Sequence, residues 1–249
     1  SEEIIGKWLK QGRISRDKAV IITKVGSEMG PGKKGLKADY IIEAAEASLK
    51  RLQTDHIDLY LSHWPDPETP HEESLAAYAK LKEQGKIRHV GCSNLDATQL
   101  QASLDAAVEA GLPRYDVLQP EYNLYARDSF EGALAELCVK EDIGVITYFS
   151  LAAGFLTGKY RTKADTEGRA REGRVAAYLD DKGLRILAAI AKAKMVRPGQ
   201  IALAWLLRKR GVTAPIASAT SLGQLDALIN SAKLSLSDDA MRLLDAAGE

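Results

Sequence analysis

The chain is poor in cysteine, in net charge and in long apolar runs, and each shortage closes a class of function. Its 2 cysteines, Cys92 and Cys138, lie in apolar runs, where a thiol behaves as a small core side chain. Neither a disulfide framework nor a cysteine-rich zinc site is expected, and no metal ligand set is assigned. The 34 basic residues cancel the 34 acidic ones. Zero net charge supplies no electrostatic reason to bind nucleic acid or an anionic membrane surface. A local phosphate site, needing only a few donors, stays open. No stretch approaches the roughly 20 apolar residues that span a bilayer, and no signal-peptide pattern is visible, so the cytoplasm is the expected compartment. Also missing are low-complexity tracts and a Gly-x-Gly-x-x-Gly after an early strand.

What is present is an alternation of two periodicities. Strand-like runs rich in Val, Ile, Leu and Tyr occupy 19–25, 57–62, 87–92, 115–119, 143–148 and 212–217. They show little polar alternation, as in parallel strands buried on both faces. Helical spacing fills the gaps at 38–53, 71–84, 96–110, 128–141, 181–194, 198–210, 221–231 and 237–247. Asp96 suits an N-cap and Pro198 a first helical turn, while Gly85, Gly111 and Gly211 stand where helices should stop.

This βα repetition predicts an α/β fold with a parallel sheet and outer helices. At 249 residues the chain is about the size of one (β/α)8 TIM barrel. Six strands are visible where a barrel needs eight, and the chain opens on an amphipathic helix at Ser1–Leu9. The expectation is a single barrel domain over 1–249 with the first one or two βα units missing before Ser1. The alternative is an open doubly wound sheet, disfavoured by the absent glycine fingerprint.

Two strand ends stand out. Ile21-Ile22-Thr23-Lys24 ends on an ammonium, and Leu59-Tyr60-Leu61-Ser62-His63 on an imidazole. In parallel barrels the carboxyl ends of strands floor the active site, so Lys24 and His63 are candidate catalytic groups. One long irregular stretch, 158–181, holds Arg161, Lys163, Arg169, Arg171 and Arg174 with three glycines. Such loops are either functional lids or solvated excursions.

These motifs resemble the aldo-keto reductase superfamily, in particular bacterial members close to the potassium-channel β-subunit branch. The matching segments are Ile21-Ile22-Thr23-Lys24, Leu61-Ser62-His63-Trp64-Pro65-Asp66, Val90-Gly91-Cys92-Ser93-Asn94, Gln119-Pro120-Glu121-Tyr122-Asn123-Leu124 and the run from Tyr148 to Tyr160. The resemblance implies reversible, NADP(H)-dependent reduction of aldehydes or ketones to alcohols by direct hydride transfer. Lys24 is then the lysine that acidifies a neighbouring tyrosine, whose unaided pKa is near 10. His63 is the histidine that orients and polarises the substrate carbonyl. The family's catalytic aspartate and tyrosine belong to the unit before the opening helix and are expected to precede Ser1.

The resemblance also implies a cofactor set. Ser93, Asn94 and Gln119 match the groups that hold the nicotinamide carboxamide, and Tyr148 the aromatic that stacks on its ring. The strap over the pyrophosphate matches Ser150, Leu151, Gly154, Leu156, Gly158 and Lys159. Ser218, Thr220 and Gln224 match the site for the adenosine 2′-phosphate, at a helix amino end that favours anions. There Ser218 replaces a glycine seen in many members, Ala227 and Leu228 replace adenine contacts, and no arginine lies within the stretch. The partner expected is a small carbonyl or alcohol substrate. Two rival readings remain at this point: a nicotinamide-nucleotide-binding regulatory module with little turnover, and an unrelated barrel enzyme such as a lyase or phosphate-sugar isomerase.

Overall fold

The computed structural model describes residues 1–168, 172–193 and 196–249. The chain divides into two compact units, Ser1–Gln119 and Pro120–Glu249. No helix among the described residues is long and apolar enough to cross a membrane.

The first unit runs α1 (Glu2–Lys10), β1 (Ile22–Val25), α2 (Ala38–Leu52), β2 (Ile57–Ser62), α3 (His71–Glu83), β3 (Ile87–Ser93), α4 (Ala97–Ala110) and β4 (Val117–Gln119). Its strands pair in parallel in sequence order. All six residues of β2 are buried; its apolar side chains join the core, and its two polar ones, Asp58 and Ser62, are hydrogen-bonded. The α4 helix starts as expected, with a reciprocal Asp96–Gln99 capping box, and stops at Gly111 in the left-handed region (φ 63).

The first strand is shorter than the expected 19–25. Side chains hold the backbone upstream of it: Arg16 donates to the Ala19 carbonyl, and the Ile21 N–H donates to the Asp58 carboxylate. Val20 and Ile22 stand 74% and 41% exposed. Among the described residues of this unit, β1 has β2 as its one strand neighbour, so the sheet is open there.

Register fixes which side chains share a face. Lys24 aligns with Leu61, Leu61 with Gly91, and Gly91 with Val117. Because strand side chains alternate, Lys24, Ser93 and Gln119 project to the Leu61 side. The opposite side carries Thr23, which donates to Glu2 of α1, and Ser62, which bonds Tyr78 and Tyr115. Gly91 is required by this packing. A Cβ there would press into Leu61 Cδ2 and lie 2.7 Å from the Val117 carbonyl oxygen.

The second unit runs α5 (Ala133–Lys140), β5 (Gly144–Thr147), α6 (Glu172–Ala176), α7 (Asp181–Ala193), α8 (Pro198–Arg208), β6 (Val212–Pro215), α9 (Leu222–Ser231) and α10 (Asp238–Ala247). The β5 and β6 strands pair in parallel. Fully buried Trp205 of α8 anchors the unit. Its indole N–H donates to Asp245 at 2.8 Å, and the Arg127 and Lys209 cations lie over its ring.

Two expectations need correction here. The helix expected over 128–141 begins at Ala133, because Gly132 (φ 87) interrupts the helical path. The stretch 158–181 is not wholly irregular. It contains a 3-10 turn at Lys163–Thr166, capped through Thr162 and Asp165, and the helix α6. Arg169 and Arg171 of that stretch, and Lys194 of the expected helix 181–194, lie outside the described residues. In both units parallel strands alternate with helices, the α/β class expected from the sequence.

Candidate active site

In the first unit the decisive residue is His63, one position past β2. Its N–H donates to the Val25 carbonyl (2.8 Å), and its own carbonyl accepts from Asn94 Nδ2 (2.8 Å). The imidazole stacks on Trp64, with centroids 5.4 Å apart and planes 9° from parallel. The Nδ1 atom lies 2.6 Å from Ser27 Oγ. Burial, and then the Lys24 charge, push the imidazole pKa below its ordinary value, which favours the neutral ring. Burial likewise lowers the Lys24 ammonium pKa. The Lys24 charge is thus felt at the His63 ring from the adjacent strand end.

The three residues matched to the carboxamide also meet. Ser93 and Gln119 are register partners at the ends of β3 and β4, and Asn94 follows Ser93. Their polar atoms also bind the strand ends together. The buried Ser93 hydroxyl donates to the Gln119 carbonyl (2.6 Å), as Asn94 does to His63. Asn94 adopts φ 62, a left-handed conformation that asparagine tolerates better than most residues.

In the second unit Tyr148 directly follows β5 and bridges to Glu121. Burial, and then the Glu121 charge, raise its phenol pKa. The strap residues divide by exposure. Ser150 is buried and donates to the Thr147 carbonyl, and Leu156 is fully buried. Leu151, Gly154 and Gly158 are half-buried, and Lys159 is exposed with its ammonium 4.8 Å from the Tyr160 ring centroid. Gly158 ends the turn at φ 76, and a Cβ there would lie 3.1 Å from Pro198 Cγ. Ser218, Thr220 and Gln224 are exposed. Thr220 donates through both its N–H and its hydroxyl to Gln224 Oε1, and Ser221 caps α9.

Sequence reasoning missed two residues. Arg197, beside Pro198, donates to the Gly223 carbonyl (3.1 Å) in the first turn of α9. The cation absent from the Ser218–Gln224 stretch thus comes from the start of α8, which also packs on the strap at Gly158. Ser27 is the second, three positions beyond Lys24. No linear spacing announces either contact, since both depend on how loops return.

A family model described as "Aldo/keto reductase family" matches residues 1–249. The chain belongs to the aldo/keto reductase family. "Protein tas" of Escherichia coli (strain K12) is 34% identical over 275 aligned residues, 99% of this chain and 79% of that protein. "Aldo-keto reductase yakc [NADP(+)]" of Schizosaccharomyces pombe is 34% identical over 256 residues, covering 97% and 73%. A "probable voltage-gated potassium channel subunit beta" of Arabidopsis thaliana is 34% identical over 234 residues, covering 90% and 71%. Aldo/keto reductases are oxidoreductases, and the strands and helices of both units, with the open edge at β1, are consistent with part of the family's (β/α)8 barrel.

Proposed function

We propose that this chain binds NADP(H) and carries the ammonium and imidazole of a carbonyl reductase, acting on small aldehydes or ketones. The observation that carries the reading is the shared strand-end position of Lys24 and His63, on the sheet face that also bears Ser93 and Gln119.

The donor chemistry of the second unit fits a phosphorylated nucleotide. Lys159 and Arg197 supply cations, Ser218 and Thr220 supply hydroxyls, and the Ser221-capped start of α9 adds its positive end. Arg197 supports a preference for NADP(H) over NAD(H), because a guanidinium suits a terminal phosphate. The printed name of the yakc relative points the same way. In the second unit Tyr148 offers an aromatic face of the kind that stacks on a nicotinamide; in the first, Asn94 and Gln119 offer amides of the kind that pair with a carboxamide.

When bound, the nucleotide supplies the hydride. His63 donates one ring N–H to the substrate oxygen and holds it in place. Lys24 stabilises negative charge as it develops on that oxygen and on the proton donor beside it. By the family resemblance, the proton donor is a tyrosine phenol, which the Lys24 ammonium would make more acidic.

The reading is tested by titrating the chain's tryptophan fluorescence with NADPH and with NADP+. Saturable binding, weakened at least tenfold by Tyr148→Ala, is the expected result. Absence of saturable binding removes the reading. A stopped-flow search for NADPH oxidation by a reactive aldehyde then separates a reductase from a nucleotide-binding regulatory module.

A further inference from the structure

The side chain of Ser27 has no place in the chemistry described so far, yet the fold goes to some length to deliver it. Gly26, at φ 109, turns the chain sharply after β1. The loop is closed at its base by the Gly35 N–H on the Gly26 carbonyl (3.2 Å). Asp66, three residues beyond His63, clamps the far side. Its carboxylate accepts from Leu36 N–H (2.7 Å), Thr69 Oγ1 (2.8 Å) and Glu68 N–H (3.1 Å). Gly35 permits this approach, since a Cβ there would lie 2.7 Å from Asp66 Oδ2. The segment after His63 thus fixes the loop that carries Ser27, and the loop returns the hydroxyl to His63 Nδ1 at 2.6 Å.

A neutral imidazole has one N–H and one lone pair, and its partners decide which nitrogen carries the proton. A serine hydroxyl can serve either nitrogen state. Here the balance favours donation from Oγ–H to Nδ1. The imidazole nitrogen is more basic than a hydroxyl oxygen, so O–H···N is the stronger of the two arrangements. Among the described residues, Nδ1 is also the one hydrogen-bond partner of that hydroxyl. Burial and the Lys24 charge oppose a second proton on the ring, which keeps one nitrogen available as acceptor.

We propose that Ser27 is a positioning residue for His63: its hydroxyl donates to Nδ1 and so holds the ring as the Nε2–H tautomer, with its plane set against Trp64. Resting on the proposed function, this makes Nε2–H the donor to the substrate oxygen. The opposite tautomer would present a lone pair to a carbonyl oxygen and repel it.

The decisive experiment is long-range proton–nitrogen NMR of the imidazole rings near neutral pH. Only four histidines contribute, and a His63→Gln variant identifies the signals of interest. The unsubstituted chain should show a protonated Nε2 and an acceptor-type Nδ1. Ser27→Ala should give mixed tautomers, and Ser27→Thr, which keeps the hydroxyl, should restore the original pattern. A protonated Nδ1 in the unsubstituted chain overturns the proposal, as does a spectrum unchanged in Ser27→Ala. In a carbonyl-reduction assay, Ser27→Ala should lower kcat about tenfold, the scale of one lost hydrogen bond. Nucleotide Kd should be unchanged, and Ser27→Thr should recover the rate. The two readings fail separately. Loss of nucleotide binding with the Nε2–H tautomer intact sinks the reductase reading alone, whereas normal binding with the wrong tautomer sinks the role of Ser27 alone.

Discussion

The strand end at His63 and the turn after Tyr148 are held by different means. Around His63 the geometry is enforced by side chains: Ser27 on the ring, Asn94 on the carbonyl, Ser93 on Gln119 and Asp66 on the loop. After Tyr148 it is enforced by backbone torsions. Phe149, Ala152 and Ala153 all adopt positive φ, at 51°, 47° and 55°. Non-glycine residues persist in this region only where surrounding structure over-determines them. Here Asn123 donates its amide to the Phe149 carbonyl (3.0 Å), and Arg174 of α6 lies over the Phe149 ring. On the proposed function, the first region must polarise a bond and so needs particular side-chain atoms in place, whereas the second must follow a nucleotide and so needs mainly a backbone path.

That contrast can be broken by substitution. Lys24→Met should have the largest effect, lowering turnover in an NADPH–aldehyde assay by roughly 100-fold or more. Its nucleotide affinity by fluorescence should stay within about twofold. An unchanged rate would remove Lys24 from the chemistry.

Gly91→Ala tests the packing beneath that site. The added methyl group meets Leu61 and the Val117 carbonyl, and overpacking of this kind costs about 3 kcal/mol. The urea midpoint should fall accordingly.

On the strap side, Arg197→Ala should weaken NADP+ binding about tenfold while leaving NAD+ binding unchanged, the signature of one lost charge-assisted phosphate contact. Equal weakening of both nucleotides would place Arg197 elsewhere.

Asp58→Asn probes the support of β1 by its pH dependence. Burial raises the Asp58 carboxyl pKa, but the Ile21 N–H and Arg16 outweigh it and hold the group below its ordinary value. A depressed carboxylate stabilises the fold above the unfolded pKa of about 4, and this contribution fades as pH falls through the lower folded value. The stability gap between the parent chain and Asp58→Asn should therefore be full at neutral pH and shrink below about pH 4.

The smallest change is expected for Ala153→Gly. Relief of a left-handed alanine should outweigh the lost methyl group and raise stability by about 0.5 kcal/mol, read as a small rise in Tm. A clear loss of stability would mean that the Ala153 side chain, not the torsion, matters to the turn.

Much of this architecture was legible before any coordinates. The β2 strand reads as largely apolar because it is buried throughout, and α4 announces its start at Asp96 and its end at Gly111. Lys24 and His63 could be singled out because each closes an apolar run with a polar group. The α6 helix was not legible, since Glu172–Ala176 is too short to show a period. Nor was the true start of β1, because the partners of the preceding backbone are side chains at Arg16 and Asp58.

The sequence alone determined the order of strands and helices, their buried faces and the identity of the two polar strand-end groups, because hydrophobic periodicity and local capping act between near neighbours. Only the tertiary structure decided that Ser27 serves His63 and that Arg197 serves the start of α9. Those contacts join residues 36 and 26 positions apart, and the turns that bring them together leave no periodic trace in the chain.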